Sequence, residues 1–202
     1  MKKRNNKKQN KEKAKVNQQG NLKQQWQNNW KAKTPVLLFL LGFLVFVIAF
    51  YLLYYSDWYR TTLREPILSF QAFLGGGILK ILGYDVYVQG SLIAGDQFAI
   101  NIKNGCDGLE ATTLFTAAVL MFPLAFKYKW PGILGGVAVL FVVNLIRTAG
   151  LYMIGVHWES AFEFFHLHGG LILFMIVSIS IWILWMDWAL KKQRLEAQHA
   201  KH

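Results

Sequence analysis

The chain has 202 residues, of which 54% are hydrophobic and 15% aromatic, and this composition predicts one compact membrane domain rather than several soluble ones. The formal net charge of +11 is concentrated at the N-terminus, since residues 1–34 contain eleven Lys or Arg and one acid, Glu12. The rest of the chain is close to balanced. The high pI therefore indicates a basic tail on a membrane protein and argues against a nucleic-acid-binding fold.

Residues 1–34, rich in Lys, Asn and Gln, contain too few apolar side chains to form a core and are predicted to be a disordered cytoplasmic tail. Trp26 and Trp30 are four residues apart, a spacing that suits a short amphipathic anchor at the membrane interface. Residues 35–55 carry no charge and are long enough to cross a bilayer. Because no cleavage site follows them, they indicate a retained transmembrane helix and not a signal peptide.

The next two segments are less apolar. Residues 66–83 contain Gln71 and Lys80 and are interrupted by Gly75-Gly76-Gly77, which favours an interfacial or re-entrant segment over a full span. Residues 84–103 hold two runs in which apolar and polar side chains alternate, separated by glycines. This period of two predicts two strands and a turn, a small extracytoplasmic β-hairpin that leads into the only cysteine.

Three further spans are predicted, over residues 109–126, 132–155 and 167–188, with a tight turn from Lys127 to Pro131 between the first two. The chain is thus expected to be an all-α polytopic membrane protein with about four transmembrane helices, the re-entrant segment and the hairpin. A transmembrane domain covers residues 35–190, and residues 191–202 form a C-terminal tail.

Charge in the loops predicts the topology. The N-terminal tail, the Lys127–Pro131 turn and the basic cluster after residue 190 all fall on the cytoplasmic side if residues 66–83 do not span. Residues 56–107 are then external. Cys106 lies at the outer start of its helix, Arg147 within reach of the outer surface, and His157 and His166 at the outer connection or the mouth of the last helix.

A single cysteine rules out an internal disulfide, so Cys106 is either a buried small apolar residue or a reactive thiol. A thiolate at a helix N-terminus is stabilised by the helix dipole and by unsatisfied N–H groups. Gly105 and Gly108 allow a substrate backbone to approach closely. Asp107 is placed to cap the helix, although its charge would oppose a thiolate.

Arg147 lies inside an apolar span, where an ionised side chain is costly and marks function by default. Asn144 precedes it by three residues, so both can line one helix face. The functional role of Arg147 would be to stabilise a thiolate or an oxyanion. The alternative is a structural ion pair, with Glu110, Glu159 or Glu163 as the partner.

His166 and His168 flank Leu167 just before Gly169-Gly170, and two histidines at a helix start favour acid–base work over a purely structural role. One cysteine and scattered histidines lack the spacing of a zinc site, so neither a metal nor another cofactor is expected. Each of these signals is weak alone. A thiol, a cation and an imidazole at one membrane face are together the components of a cysteine acyl-transfer site.

Three motifs in this order resemble those of the exosortase/archaeosortase family of membrane transpeptidases. They are a Cys-x-Gly block at Cys106 and Gly108, an Asn-x-x-Arg block at Asn144 and Arg147, and a His-x-x-x-Gly block at His166 and Gly170. The resemblance covers roughly residues 35–190, and the short chain is most similar to the compact forms, such as exosortase H. The acidic Asp107 is a departure, since the family often has a small or neutral residue there.

The resemblance implies a cysteine peptidase or transpeptidase of the bacterial inner membrane whose active site faces the periplasm or exterior. Its substrates would be exported proteins with a C-terminal sorting signal, made of a short motif, a transmembrane helix and a basic cluster. They would be cleaved near the motif and passed to an acceptor, a membrane lipid or another molecule. Cys106 would be the nucleophile, Arg147 the anion stabiliser and His166 the acid–base, with His168 as its competitor.

Two other functions fit the sequence. A non-enzymatic subunit for membrane assembly or secretion would leave Cys106 inert, and a small anion transporter would use Arg147 to bind its ligand. The transporter is less attractive because no inverted repeat is evident. The sequence does not reveal the target motif, the acceptor or the oligomeric state.

Overall fold

The computed structural model describes residues 34–103 and 105–199. The predicted basic tail lies outside these residues, with Trp26 and Trp30, except for Thr34. The chain divides into two units, residues 1–42 and 43–202. The described part of the first, residues 34–42, is helical, and the site described below lies in the second unit.

The described chain is helical apart from one small antiparallel sheet, which confirms the predicted fold class. Its elements, in order, are α1 (Thr34–Tyr54), a π-helical turn (Tyr59–Leu63), α2 (Arg64–Ile81), β1 (Val86–Gln89), β2 (Leu92–Gly95), β3 (Ala99–Asn101), α3 (Leu109–Met121), α4 (Phe126–His157), α5 (Glu159–Phe164), a second π-helical turn (Phe165–Gly169) and α6 (Gly170–His199).

Three segments of the described chain are long and apolar enough to cross a membrane: Thr34–Tyr54, Phe126–His157 and Glu159–His199. The predicted span over residues 109–126 is shorter than expected, because α3 ends at Met121. Its 13 residues rise about 20 Å, less than the roughly 30 Å of a hydrocarbon core. Phe122 leaves the helical conformation because Pro123 follows it, and a residue before proline disfavours the α region.

The turn between α3 and α4 lies over residues 122–125, so its predicted position from Lys127 to Pro131 is wrong. Those residues form the first turns of α4, with Pro131 inside the helix. Lys127 forms an ion pair with Glu196, and Lys129 donates to the Leu120 carbonyl. The turn therefore lies at Pro123, and not just before Pro131 as predicted.

Glycines 75–77 do not interrupt their segment, contrary to the sequence prediction. The helix α2 runs unbroken for 18 residues, and it is not one of the three candidate spans. A Cβ on Gly76 would lie 2.5 Å from Val88 Cγ2, and one on Gly75 would lie 3.3 Å from Thr148 Cγ2. Close packing of α2 against β1 and α4 requires these small residues.

The sheet has three strands rather than the two predicted. Its order is β1-β2-β3, with Val86 opposite Gly95 and Ile93 opposite Ile100. The strand that was not predicted is β2, which follows directly after the turn at Gly90. Its residues Leu92, Ile93 and Ala94 are consecutive apolar residues and do not alternate with polar ones. Both Ile93 and Ala94 are buried, so the period of two that marks a half-exposed strand is absent.

Two apolar clusters form the interior. One joins α2, the sheet and the C-terminal part of α4, and is centred on Leu79, Ile93 and Ala149. The other joins α3, the N-terminal part of α4 and α6, and is centred on Val119 and Leu140. Cys106 packs against the first cluster, and Gly108 of the same loop lies against Phe174 of the second, so the cysteine loop lies between them.

Gly136 gives a direct test of the α3–α4 packing. A Cβ on Gly136 would lie 2.1 Å from Phe115 Cε1, whereas one on Gly135 would have no neighbour within 4 Å. We expect Gly136→Ala to lower the free energy of unfolding by about 1–3 kcal/mol through overpacking. Its control, Gly135→Ala, should be neutral or stabilising by up to about 1 kcal/mol. Thermal unfolding in detergent measures both, and equal stabilities would contradict the packing.

Candidate active site

Cys106 lies in a tight loop three residues before α3 begins. Gly105 and Gly108 have φ of 83° and 71°, in the left-handed region that favours glycine. The Cys106 N–H donates to the Lys103 carbonyl at 3.0 Å, which ties the loop to the end of the β3 segment. Gly105 is open on its Cβ side, whereas a Cβ on Gly108 would lie against Asn144 and Phe174. Both glycines line the larger cavity described below.

Arg147 reaches the cysteine loop from the middle of α4. Its Nη1 donates to the Cys106 carbonyl at 3.2 Å, and its Nη2 lies 3.9 Å from Cys106 Sγ and 3.3 Å from the His166 carbonyl. The alternative role of Arg147 in a structural ion pair is not observed. None of the ion pairs within residues 34–103 and 105–199 involves Arg147.

His166 completes the group from the second π-helical turn. Its Nε2 lies 3.8 Å from Cys106 Sγ, and its ring stacks on Phe162 with centroids 5.4 Å apart. His168 is exposed and stacks on Phe164 instead. His157, at the C-terminal end of α4, is hydrogen-bonded to the Tyr84 hydroxyl at 2.9 Å. The structure therefore brings His166 to the thiol and leaves His168 and His157 outside the group.

The packing around Gly170 explains why this position, four residues after His166, is a glycine. A Cβ on Gly170 would lie 2.2 Å from Arg147 Nε, so the guanidinium packs directly against the backbone of α6. Any larger residue would displace the arginine from the cysteine loop. The motif at His166 and Gly170 thus positions two side chains, the imidazole itself and Arg147 on the neighbouring helix.

A buried hydrogen-bond network holds the other side of the cysteine loop. The Tyr54 hydroxyl donates to Asp107 Oδ2 and accepts from the Gly105 N–H, both at 3.1 Å. Gln71 Nε2 donates to the Asp107 carbonyl at 2.8 Å, and Asn144 Nδ2 donates to Gln71 Oε1 at 3.2 Å. Tyr54 of α1 and Gln71 of α2 therefore hold the loop directly, and Asn144 of α4 supports Gln71.

Sequence reasoning missed most of this network. The sequence assigns no site role to Tyr54, it gives Gln71 only as a sign of a segment too polar to span, and it predicts that Asn144 shares a helix face with Arg147. A buried amide in an apolar helix must find a partner, and that requirement was the one available signal for Gln71.

Asp107 caps α3, as predicted, by accepting from the Leu109 N–H at 3.1 Å. Burial raises the pKa of the Asp107 carboxyl, although the hydrogen bonds from Leu109 and Tyr54 act in the opposite direction. The same two hydrogen bonds hold the carboxyl at the start of α3.

Two cavities meet at the three central side chains. Cys106, Arg147 and His166 line both. The larger, of about 590 Å³, continues along α3 and α6 past Leu114, Phe174 and Ser178. The smaller, of about 230 Å³, lies along residues 99–103 of the sheet. A thiol between two cavities can meet a chain that enters from one and leaves through the other.

The helical membrane fold and a thiol contacted by imidazole and guanidinium define a membrane protein with a cysteine site. The chain matches the family model described as transmembrane exosortase over residues 31–186, about three quarters of its length, and belongs to that family. It is accordingly an integral membrane transpeptidase of proteins that carry sorting signals. Comparison with curated proteins and with solved structures gave no match.

Tyr54 supplies a test of the network that needs no substrate. Cys106 is the only cysteine, so the rate of its alkylation by N-ethylmaleimide reports on the loop alone. We expect Tyr54→Phe to change this rate by about threefold or more, because two hydrogen bonds that fix the loop are lost. The control is Tyr55→Phe, since Tyr55 is 61% exposed and outside the network. Equal rates in both variants would contradict the positioning role.

Proposed function

We propose that the protein is a cysteine-dependent transpeptidase in which Cys106 is the nucleophile, His166 the acid–base and Arg147 the anion stabiliser. The observation that carries this proposal is the approach of two groups to one sulfur. His166 Nε2 lies 3.8 Å and Arg147 Nη2 lies 3.9 Å from Cys106 Sγ. Both contacts are long, as expected before a substrate tightens the site.

In the first half-reaction, His166 Nε2 accepts the proton of Cys106 and the thiolate attacks the scissile carbonyl of the sorting signal. Arg147 is placed to stabilise both the thiolate and the oxyanion of the tetrahedral intermediate. When this intermediate collapses, the amide C–N bond breaks and the leaving amine takes the proton from His166. A thioester remains on Cys106, and the released peptide carries the substrate's own membrane helix.

In the second half-reaction, an acceptor attacks the thioester and loses its proton to His166, which returns it to the departing Cys106 thiolate. A membrane-bound nucleophile, such as a lipid, gives transfer, and water gives hydrolysis. Confinement of enzyme, substrate and acceptor in one membrane supplies proximity.

The orientation proposed is cytoplasmic for both termini, with Cys106 facing the periplasm or exterior of a bacterial inner membrane. The basic residues that support it are the N-terminal tail, Lys127 and Lys129 at the start of α4, and the Lys191–Arg194 cluster near the end of α6. Cys106, His157 and His166 then lie together at the opposite face.

The first test compares wild type with Cys106→Ala at equal membrane levels, using an exported reporter fused to a motif–helix–basic tail from the same genome. We expect wild type to remove the tail and Cys106→Ala to leave it intact, because the alanine cannot form the thioester. Gel mobility of the reporter measures the cleavage, and mass spectrometry of its new C-terminus shows whether an acceptor was added.

Equal processing by wild type and Cys106→Ala would show that Cys106 is not the nucleophile. It would favour the function of a non-enzymatic subunit. An anion transporter predicts a different pattern. Transport would then be lost in Arg147→Ala and kept in Cys106→Ala.

The two histidines of the Phe165–Gly169 turn provide a matched pair. We expect His166→Ala to slow tail removal by about 10²–10⁴-fold, the usual value for a positioned acid–base. His168→Ala should remain close to wild type, because that ring is exposed and stacks on Phe164. Time courses of reporter processing measure both. A larger loss in His168→Ala than in His166→Ala would reverse the assignment.

A further inference from the structure

The free edge of the external sheet lies beside the cysteine. In the sheet order β1-β2-β3, the strand β3 has a partner on one side only. Its even-numbered residues face β2, since Gly95 N–H donates to the Phe98 carbonyl and Ile102 N–H to the Ser91 carbonyl, each at 3.0 Å. The backbone groups of Ala99 and Asn101 therefore point to the open edge.

The smaller cavity follows this edge. It is lined by five consecutive residues, 99–103, and a cavity on one face of a strand would meet only alternate residues. Its opposite wall consists of Thr148 and Leu151 on α4, with Phe162 beyond them. Within the described residues, no backbone hydrogen bond joins Ala99 or Asn101 to another element across this space.

We propose that the segment of the substrate just before the scissile bond binds as a fourth strand, parallel to β3 along its free edge. This inference rests on the proposed function. An exposed strand edge is a template for pairing with an extended peptide, and alternate residues of the peptide exchange main-chain hydrogen bonds with it.

The direction follows from the two cavities. The β3 segment runs towards the nucleophile, because the Lys103 carbonyl accepts the Cys106 N–H. The larger cavity continues from Cys106 along α3 and α6 to Ser178, about 12 Å of helix rise beyond Gly170. A substrate whose membrane helix lies on the leaving side enters that cavity, and its preceding residues then lie along β3 with their C-terminal end at Cys106.

Recognition of the substrate's main chain requires the backbone N–H of Asn101. Asn101→Pro removes an N–H that faces the open edge and places the proline ring there, while the ladder to β2, carried by even-numbered residues, is kept. Asn101→Ala is the matched control, because it also loses the Oδ1 contact with Ser91 but keeps the N–H. We expect Asn101→Pro to slow reporter processing by about tenfold or more relative to Asn101→Ala.

Alkylation of Cys106 by N-ethylmaleimide should be equal in these two variants, because the thiol itself is untouched. A proline scan of the reporter's tail, with the wild-type enzyme, tests the same contact from the substrate side and does not depend on how the variants fold. Processing should fall when the proline stands at every second position before the scissile bond and should be kept when it stands at the positions between.

Equal processing by Asn101→Pro and Asn101→Ala, or a proline scan without alternation, would overturn strand addition. The proposed function has a separate point of failure. If Cys106→Ala processes the reporter as wild type does, the cysteine mechanism fails, whereas a Cys106-dependent reaction that is indifferent to the strand edge removes only this inference.

Discussion

The guanidinium of Arg147 is the charge on which the arrangement of the site depends. An ionised group inside an apolar helix must be satisfied by hydrogen bonds, and Arg147 finds the carbonyls of Cys106 and His166. These two contacts connect the cysteine loop to the start of the last candidate span. No described carboxylate forms an ion pair with Arg147, and the proposed function uses this uncompensated charge for a thiolate and an oxyanion.

The opposite side of the loop is held by neutral side chains. Tyr54, Gln71 and Asn144 come from three helices and form a chain of hydrogen bonds around the Asp107 backbone and carboxyl. Such a network is costly if any member is missing, since each group is buried in a low-dielectric interior. Its function is positional, because it fixes Cys106 between two cavities without contacting the sulfur.

The two cavities that meet at Cys106 have different walls. One follows the apolar helices α3 and α6, and the other follows the strand β3. Under the proposed function, the first cavity takes the apolar helix of a substrate and the second takes the extended peptide that precedes the scissile bond. In the chain, Cys106 lies between the sheet and the short helix α3.

The sequence by itself determined the membrane class, the first apolar span and the three chemical groups, because charge and apolar length are local properties. It also indicated that Cys106, Arg147 and His166 face one side, through loop charge and motif order. Tertiary structure decided what depends on packing between distant segments. Gly75 and Gly76 lie within a helix that packs closely on Thr148 and Val88. Tyr54 and Gln71 join the site through Asp107, which is distant from both in the chain. Tertiary structure likewise decided which histidine lies near Cys106. Both histidines belong to the π-helical turn, whose spacing no sequence period encodes, and His166 is the one that contacts the sulfur.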